Sequence, residues 1–159
     1  MTETRKPVPT LEISEEDLRQ AKELLFFAYR DFTVEPDAIL AKYNFGRAHH
    51  RVIYFVGRNP GITVNELLEI LRITKQSLNR VLRQLLQKEF IDQKSDPADR
   101  RRRRLHLTPA GENLEAELTE QQSLLIAGAY RAAGATAING FREILREIIN
   151  VEDRNRISD

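Results

Sequence analysis

The sequence predicts a mainly α-helical chain with a small β-hairpin, arranged as a winged helix-turn-helix between N- and C-terminal dimerisation helices. Three observations carry this. Helical apolar periodicity recurs in order, with a short helix and a longer one joined by a tight link at Arg72-Ile73. Two short extended stretches follow, separated by a turn-forming cluster, and three helices followed by a hairpin is the winged-helix order. The charge is split. Residues 72–106 hold eleven Lys/Arg against four Asp/Glu, a net +7, so the rest of a chain of net charge +1 carries −6. A basic middle between acidic ends is the electrostatic footprint of a polyanion-binding module.

Residues 1–11 read as a flexible tail, with Pro7 and Pro9 opposing helix. Ser14-Glu15-Glu16-Asp17 has the form of a capping box with Asp in the usual Glu position. The helix after it carries Leu18, Ala21, Leu25, Ala28 and Phe32 at steps of three and four, and Leu24, Phe26 and Phe27 widen the stripe. A stripe that wide predicts burial on two sides, in the chain's own core and against a partner. Pro36 is expected to open a separate short segment to about Tyr43, and Gly46 marks a break, so residues 12–45 form the N-terminal dimerisation helix and linker.

The winged helix-turn-helix is predicted over residues 46–108. A helix from Arg47 to Arg58 places Val52, Ile53, Phe55 and Val56 inside, and Asn59-Pro60-Gly61 is a turn. Thr63-Val64-Asn65-Glu66 is a capping box opening a short apolar helix to Leu71. Thr74 caps a longer helix running to about Lys88. Extended stretches at residues 90–94 and 103–107 flank Ser95-Asp96-Pro97-Ala98-Asp99. Thr108-Pro109 is an N-cap with proline at the first helical position, starting a helix to about Ala133. Gly134 interrupts, and a last helix carries Ile138, Phe141, Leu145 and Ile148. Residues 109–151 are thus the C-terminal dimerisation helices, and 152–159 a second flexible tail.

Hydrophobic residues make up 41% of the chain, enough to build a core. There is no cysteine, so disulfides, thiolate metal sites and thiol redox switches are excluded. No run reaches the ~18 apolar residues of a membrane span, and residues 1–10 lack the apolar core of a signal peptide. A cytoplasmic location is expected. The sequence has no phosphate loop, no HExxH and no legible base beside Ser77 or Ser123, so neither catalysis nor a cofactor is expected.

On a helix over 74–88, Leu78, Val81, Leu82 and Leu85 fall on one side. Gln76, Asn79, Arg80, Arg83 and Gln87 fall on the other, with no carboxylate among them. Amides bond adenine bidentately and guanidinium groups fork onto guanine, so this face suits major-groove readout of double-stranded DNA. Base reading is assigned to Gln76, Asn79 and Arg80. Phosphate contact is assigned to Thr74, Lys75 and Ser77 at the helix start, where free N–H groups assist. Five consecutive arginines, Arg100 to Arg104, run from the turn into the second extended stretch. A strand alternates its sides, so they cannot all face one way. A wing tip places one in the minor groove while others take phosphates, and Arg100, Arg101, Arg102 and Arg103 are the candidates.

Asp96-Pro97-Ala98-Asp99-Arg100-Arg101 and Leu105-His106-Leu107-Thr108-Pro109-Ala110-Gly111 resemble the wing signature of the MarR (multiple antibiotic resistance regulator) family. Asn59-Pro60-Gly61-Ile62-Thr63, Glu66-Leu67 and Thr74-Lys75-Gln76-Ser77-Leu78 fit that family's helix-turn-helix, and the likeness extends over about residues 12–150. The resemblance implies a homodimer on a pseudo-palindromic operator and a crevice for a small aromatic or phenolic ligand. It also implies that Arg101 is the minor-groove arginine, with Asp99 as its orienting carboxylate. Two positions depart from the pattern. Glu89 stands where the family has glycine after the recognition helix, which puts a differently shaped exit in prospect, and Gln93 replaces an arginine entering the first wing strand.

The segment Phe45 to Arg51 contains His49 and His50 side by side. Adjacent helical residues point about 100° apart, so the pair is poorly placed to chelate one metal. A structural or dimer-interface role and a place in the ligand crevice, with Tyr29 and Phe45, both stay open. A winged-helix module for protein or RNA contact is the alternative to DNA, although an A-form major groove does not admit a helix.

Overall fold

The computed structural model describes residues 10–158; the tail expected over 1–11 lies, up to residue 9, outside them, as does residue 159. Helix α1 spans Glu15–Ala41, α2 Arg47–Arg58, α3 Val64–Leu71, α4 Lys75–Gln87, α5 Pro109–Ala133, α6 Ala135–Ile148 and α7 Val151–Arg154. Strands β1 (Ile62–Thr63), β2 (Ile91–Ser95) and β3 (Arg103–Leu107) form one antiparallel sheet in the order β1-β3-β2. The expected hairpin is therefore a three-stranded sheet, because Ile62 and Thr63 pair with Leu105 and Arg104.

The caps form where hydroxyls precede apolar runs. Ser14 and Asp17 satisfy each other's backbone N–H at 3.0 Å. Thr63 and Glu66 do the same at 2.9 and 3.3 Å. Thr74 and Thr108 cap α4 and α5 through the amides of Ser77 and Gly111. Each such cap is worth about 1 kcal/mol.

Three expectations are corrected. Pro36 does not start a new segment; it lies buried inside a continuous α1. Proline removes the hydrogen bond that the Phe32 carbonyl would accept, and Gln122 of α5 points its amide there instead, at 3.4 Å. Glu89 does not reshape the exit of α4. It adopts the left-handed backbone itself, at φ 61°, which costs an L-residue roughly 1 kcal/mol. The Phe90 amide then reaches Leu85 O at 3.0 Å and the Thr108 hydroxyl donates to Glu89 O at 2.6 Å, which fixes the turn. Residues 152–158, expected as a tail, begin in α7 and lie against α3, with Arg72 Nη2 3.3 Å from Glu152 and Arg156 Nη2 3.8 Å from Glu69.

One core holds these parts together. It runs from Leu40 and Phe45 through Val52, Ile53 and Val56 of α2 to Leu78, Val81 and Leu85 of α4, and on to Leu105, Leu114 and Leu118. By contrast, no residue of α6 is buried, and Leu24, Phe26, Phe27, Leu124, Phe141, Ile144 and Ile148 are all exposed.

Gly111 marks the tightest joint. A Cβ there would sit 2.0 Å from the Phe90 carbonyl oxygen, a backbone atom with no freedom to move aside. Gly111→Ala is expected to lower stability by about 3 kcal/mol, the upper end of ordinary overpacking costs. In urea denaturation its midpoint falls while the slope stays that of the parent protein.

Candidate functional site

The candidate recognition helix, α4, is built from the inside out. Leu78, Val81, Leu82 and Leu85 of α4 are buried, 0–5% exposed, against α2 and the sheet. Four such side chains contribute on the order of 6–12 kcal/mol before ordering entropy is subtracted. That anchorage turns Lys75, Gln76, Asn79, Arg80 and Arg83 outward, and all five are exposed. Thr74 is held in its cap, with its hydroxyl 2.8 Å from that of Ser77.

A cleft of about 830 Å³ separates α4 from the wing. Lys75, Asn79 and Arg83 line one wall, and Arg101, Arg102 and Arg103 the other. A shallower concavity of about 640 Å³ along α4 is lined by Lys75, Gln76, Ser77, Asn79, Arg80 and Arg83. The structure thus gathers nine predicted residues around two adjoining concavities with no carboxylate in either lining. Arg100 lies outside both, at the exposed hairpin tip.

The fifth arginine has a different task. Arg104 donates to Asp96 Oδ2 from Nε at 3.2 Å and Nη2 at 3.0 Å, and to Gly61 O from Nη1 at 3.0 Å. Asp96 is only 6% exposed, and its other oxygen accepts from the Ala98 amide at 3.0 Å. The Ala98 N–H, and after it Arg104, hold the Asp96 carboxyl below the usual carboxylate range, against the opposing effect of burial. Asp99 accepts instead from the Arg101 backbone N–H at 3.0 Å. It shapes the loop that carries Arg101, not the guanidinium itself. Gln93 lies in the cleft beside Arg103; with its amide oxygen turned toward the guanidinium, that oxygen accepts from Arg103 Nε and Nη1 at 3.0 Å.

A separate cavity of about 600 Å³ lies among α1, α2 and α5. Tyr29, His50, Arg51, Tyr54, Gln122 and Tyr130 are on its wall. Arg51 donates to the Tyr29 hydroxyl at 2.8 Å, and Arg47 is held by Asp37 at 3.1 Å. Burial pushes the His50 imidazole below its ordinary value, with Asp37 and Glu115 opposing. Of the four expected crevice residues, Tyr29 and His50 face this cavity. Phe45 and His49 do not; they stack on each other at 4.5 Å, both nearly buried, beside α4. The α5 wall was illegible because its residues stand some ninety positions from α1 with no local motif. Among the described residues, no three His, Asp or Glu side chains converge as a metal site, and no helix is long and apolar enough to cross a membrane.

Residues 43–102 match the MarR family. Over 138 residues the chain is 48% identical to the HTH-type transcriptional regulator PetP of Rhodobacter capsulatus, covering 87% of this chain and 83% of that one. Its fold is similar to that of Streptococcus pneumoniae FabT in complex with DNA, with a TM-score of 0.74 and 18% identity over 83% of this chain and 94% of that one. The crystal structure of MarR aligns with a TM-score of 0.59 and 26% identity, over 88% and 98% of the two chains.

The wing clasp carries a pH dependence of defined sign. Because the Asp96 carboxyl is held below its ordinary value, its contribution is complete above about pH 4 and is lost as pH falls through the lowered value. Protection of the Asp96, Ala98 and Arg102 amides from hydrogen exchange, relative to the intrinsic rate at each pH, should fall only below that range. Asp96→Ala should show the reduced protection at neutral pH.

Proposed function

The chain belongs to the MarR family, and from that premise we propose that it is a DNA-binding transcriptional regulator that works as a homodimer on a pseudo-palindromic operator. The observation that carries this reading is the cleft in which Lys75, Asn79 and Arg83 face Arg101, Arg102 and Arg103. One wall carries amide and guanidinium groups suited to base edges. The other carries charge for phosphates and for a narrow minor groove. In this reading Gln76, Asn79 and Arg80 read bases, and Thr74, Lys75 and Ser77 hold the backbone at the α4 N-terminus. Arg101 enters the minor groove, while Arg100, Arg102 and Arg103 take phosphates. The DNA complex of the FabT neighbour supports duplex DNA as the partner.

The apolar residues left exposed on α1, α5 and α6 support the dimer. Two copies joined there present two recognition helices about one DNA turn apart, roughly 34 Å. The cavity among α1, α2 and α5 lies where these arms meet the DNA-binding region, and its aromatic and basic wall suits a small aromatic acid. An occupant shifts the helix spacing only if it binds one spacing more tightly than the other.

Two substitutions separate specificity from affinity. On a duplex selected from a random pool, Asn79→Ala or Arg80→Ala should cost about 1–3 kcal/mol and relax base preference. Arg103→Ala should weaken all duplexes alike and flatten the salt dependence of binding. Equal loss of base preference from both would move the reading face elsewhere. Sedimentation as a monomer at working concentration would rule out the two-helix mechanism.

A further inference from the structure

Strand alternation puts Gln93, Arg103 and Leu105 on one side of the sheet. Leu105 is fully buried, Gln93 lies opposite it on β2, and Arg103 stands two residues before it on β3. That side turns toward α4, since Gln93 and Arg103 both line the cleft with Asn79 and Arg83. Diagonal neighbours on paired strands are within reach of long side chains, and these two meet. A guanidinium has N–H donors and no acceptor, so the Gln93 amide can satisfy it only with its oxygen. In that orientation the oxygen accepts from Arg103 Nε and Nη1, each at 3.0 Å, while Nη2 takes no part.

The neighbouring arginine is held differently. Asp96 takes Arg104 on a carboxylate, which offsets its charge and, with Gly61 O, commits it to the wing itself. Gln93 takes Arg103 on a neutral oxygen, so the guanidinium is oriented and its positive charge is kept. No carboxylate lines the cleft to offset it. We propose that Gln93 is a positioning residue for DNA binding, which holds Arg103 in the cleft so that the guanidinium gives its remaining N–H groups to a phosphate. This rests on the reading of the cleft as the DNA interface. The gain is preorganisation: a long exposed arginine loses rotamer freedom when it docks, and one already held loses less. An arginine at position 93 would add a charge but no acceptor, and would leave two guanidinium groups to repel each other on the same wall.

Gln93→Met keeps the side chain's length and the charge of the cleft but removes the acceptor. Affinity of the full chain for its selected duplex should then fall about threefold to tenfold, the cost of ordering one long side chain. In an Arg103→Ala background the same substitution should change nothing. Equal losses in both backgrounds overturn the proposal, because Gln93 then acts without Arg103. Parent-like or tighter binding by Gln93→Met overturns it too, since Gln93 then does nothing for the guanidinium or withholds it from DNA. Should Gln93→Met fail to fold, Gln93→Val, suited to a strand and without an acceptor, takes its place in the same cycle. Arginine-labelled nitrogen NMR of the DNA-free chain tests the contact separately. The Arg103 Nε–H signal, assigned by its loss in Arg103→Lys, should exchange with water more slowly in the parent than in Gln93→Met. Gln93→Glu, which keeps an acceptor oxygen, should restore the slow exchange. Equal exchange in parent and Gln93→Met overturns the proposal whether or not duplex is bound. A slowly exchanging Arg103 in a chain that binds no duplex would instead defeat the reading of the cleft.

Discussion

The register of β3 is the constraint on which the reading surface depends. Five arginines in a row carry no information about which should face DNA; Arg103 and Arg104 open β3 on alternate sides, and a slip by one residue would exchange them. Two features pin the choice. Leu105 is fully buried and lies opposite both Ile62 and Gln93, so the strand has a hydrophobic peg against α2 and the core. Beside it Arg104 is bound to Asp96 and to Gly61 O, which ties the wing to the turn that precedes α3. The exposure of Arg104 limits the energetic worth of the pair, but its geometry removes one arginine from competition and fixes the loop that presents the others. Asp99, by accepting from the Arg101 amide, completes that loop from the other side.

Helix α4 is placed by a second, independent set of contacts. Its apolar side is held by packing, which sets depth but tolerates rotation because dispersion is not directional. The His49–Gln84 bond is directional and lies at the flank of the helix, where a rotation would break it first. The wing and the helix are thus fixed through different elements, β1 and the Gly61 turn for one, α2 for the other. The cleft between them keeps its width only while both are seated.

What was legible in the sequence is what local chemistry dictates. The caps at Ser14, Thr63, Thr74 and Thr108 and the apolar face of α4 each sit within a few residues of their cause. What was not legible depends on distant partners. Strand β1 has two residues and no periodicity of its own; it exists because Leu105 and Arg104 pair with it. Pro36 reads as a helix breaker until Gln122 is placed beside the Phe32 carbonyl. Asp99 outranks Asp96 as an orienting carboxylate only so long as burial is unknown, since Asp96 is the one withdrawn from solvent and bonded to a guanidinium. The two adjacent histidines diverge as helical geometry demands, but only the folded chain says that one meets α4 and the other the cavity.

The terminal arms carry the last step of this reasoning. Helix α6 has fourteen residues and buries none of them in the single chain. A helix that short is marginal in water on propensity alone, and it gains most of its stability from packing an apolar face. Phe141, Ile144 and Ile148 provide such a face, and Leu18, Leu25 and Phe26 provide another on α1. Left open to water, these residues would also forfeit about 1.5–3 kcal/mol each of burial energy. The arms therefore make sense energetically as elements whose folding is coupled to assembly. In the proposed dimer the spacing of the two α4 helices would be set by the same contacts that keep α1 and α6 helical, so a small displacement at the arms would be transmitted to α4 rather than absorbed by a flexible joint.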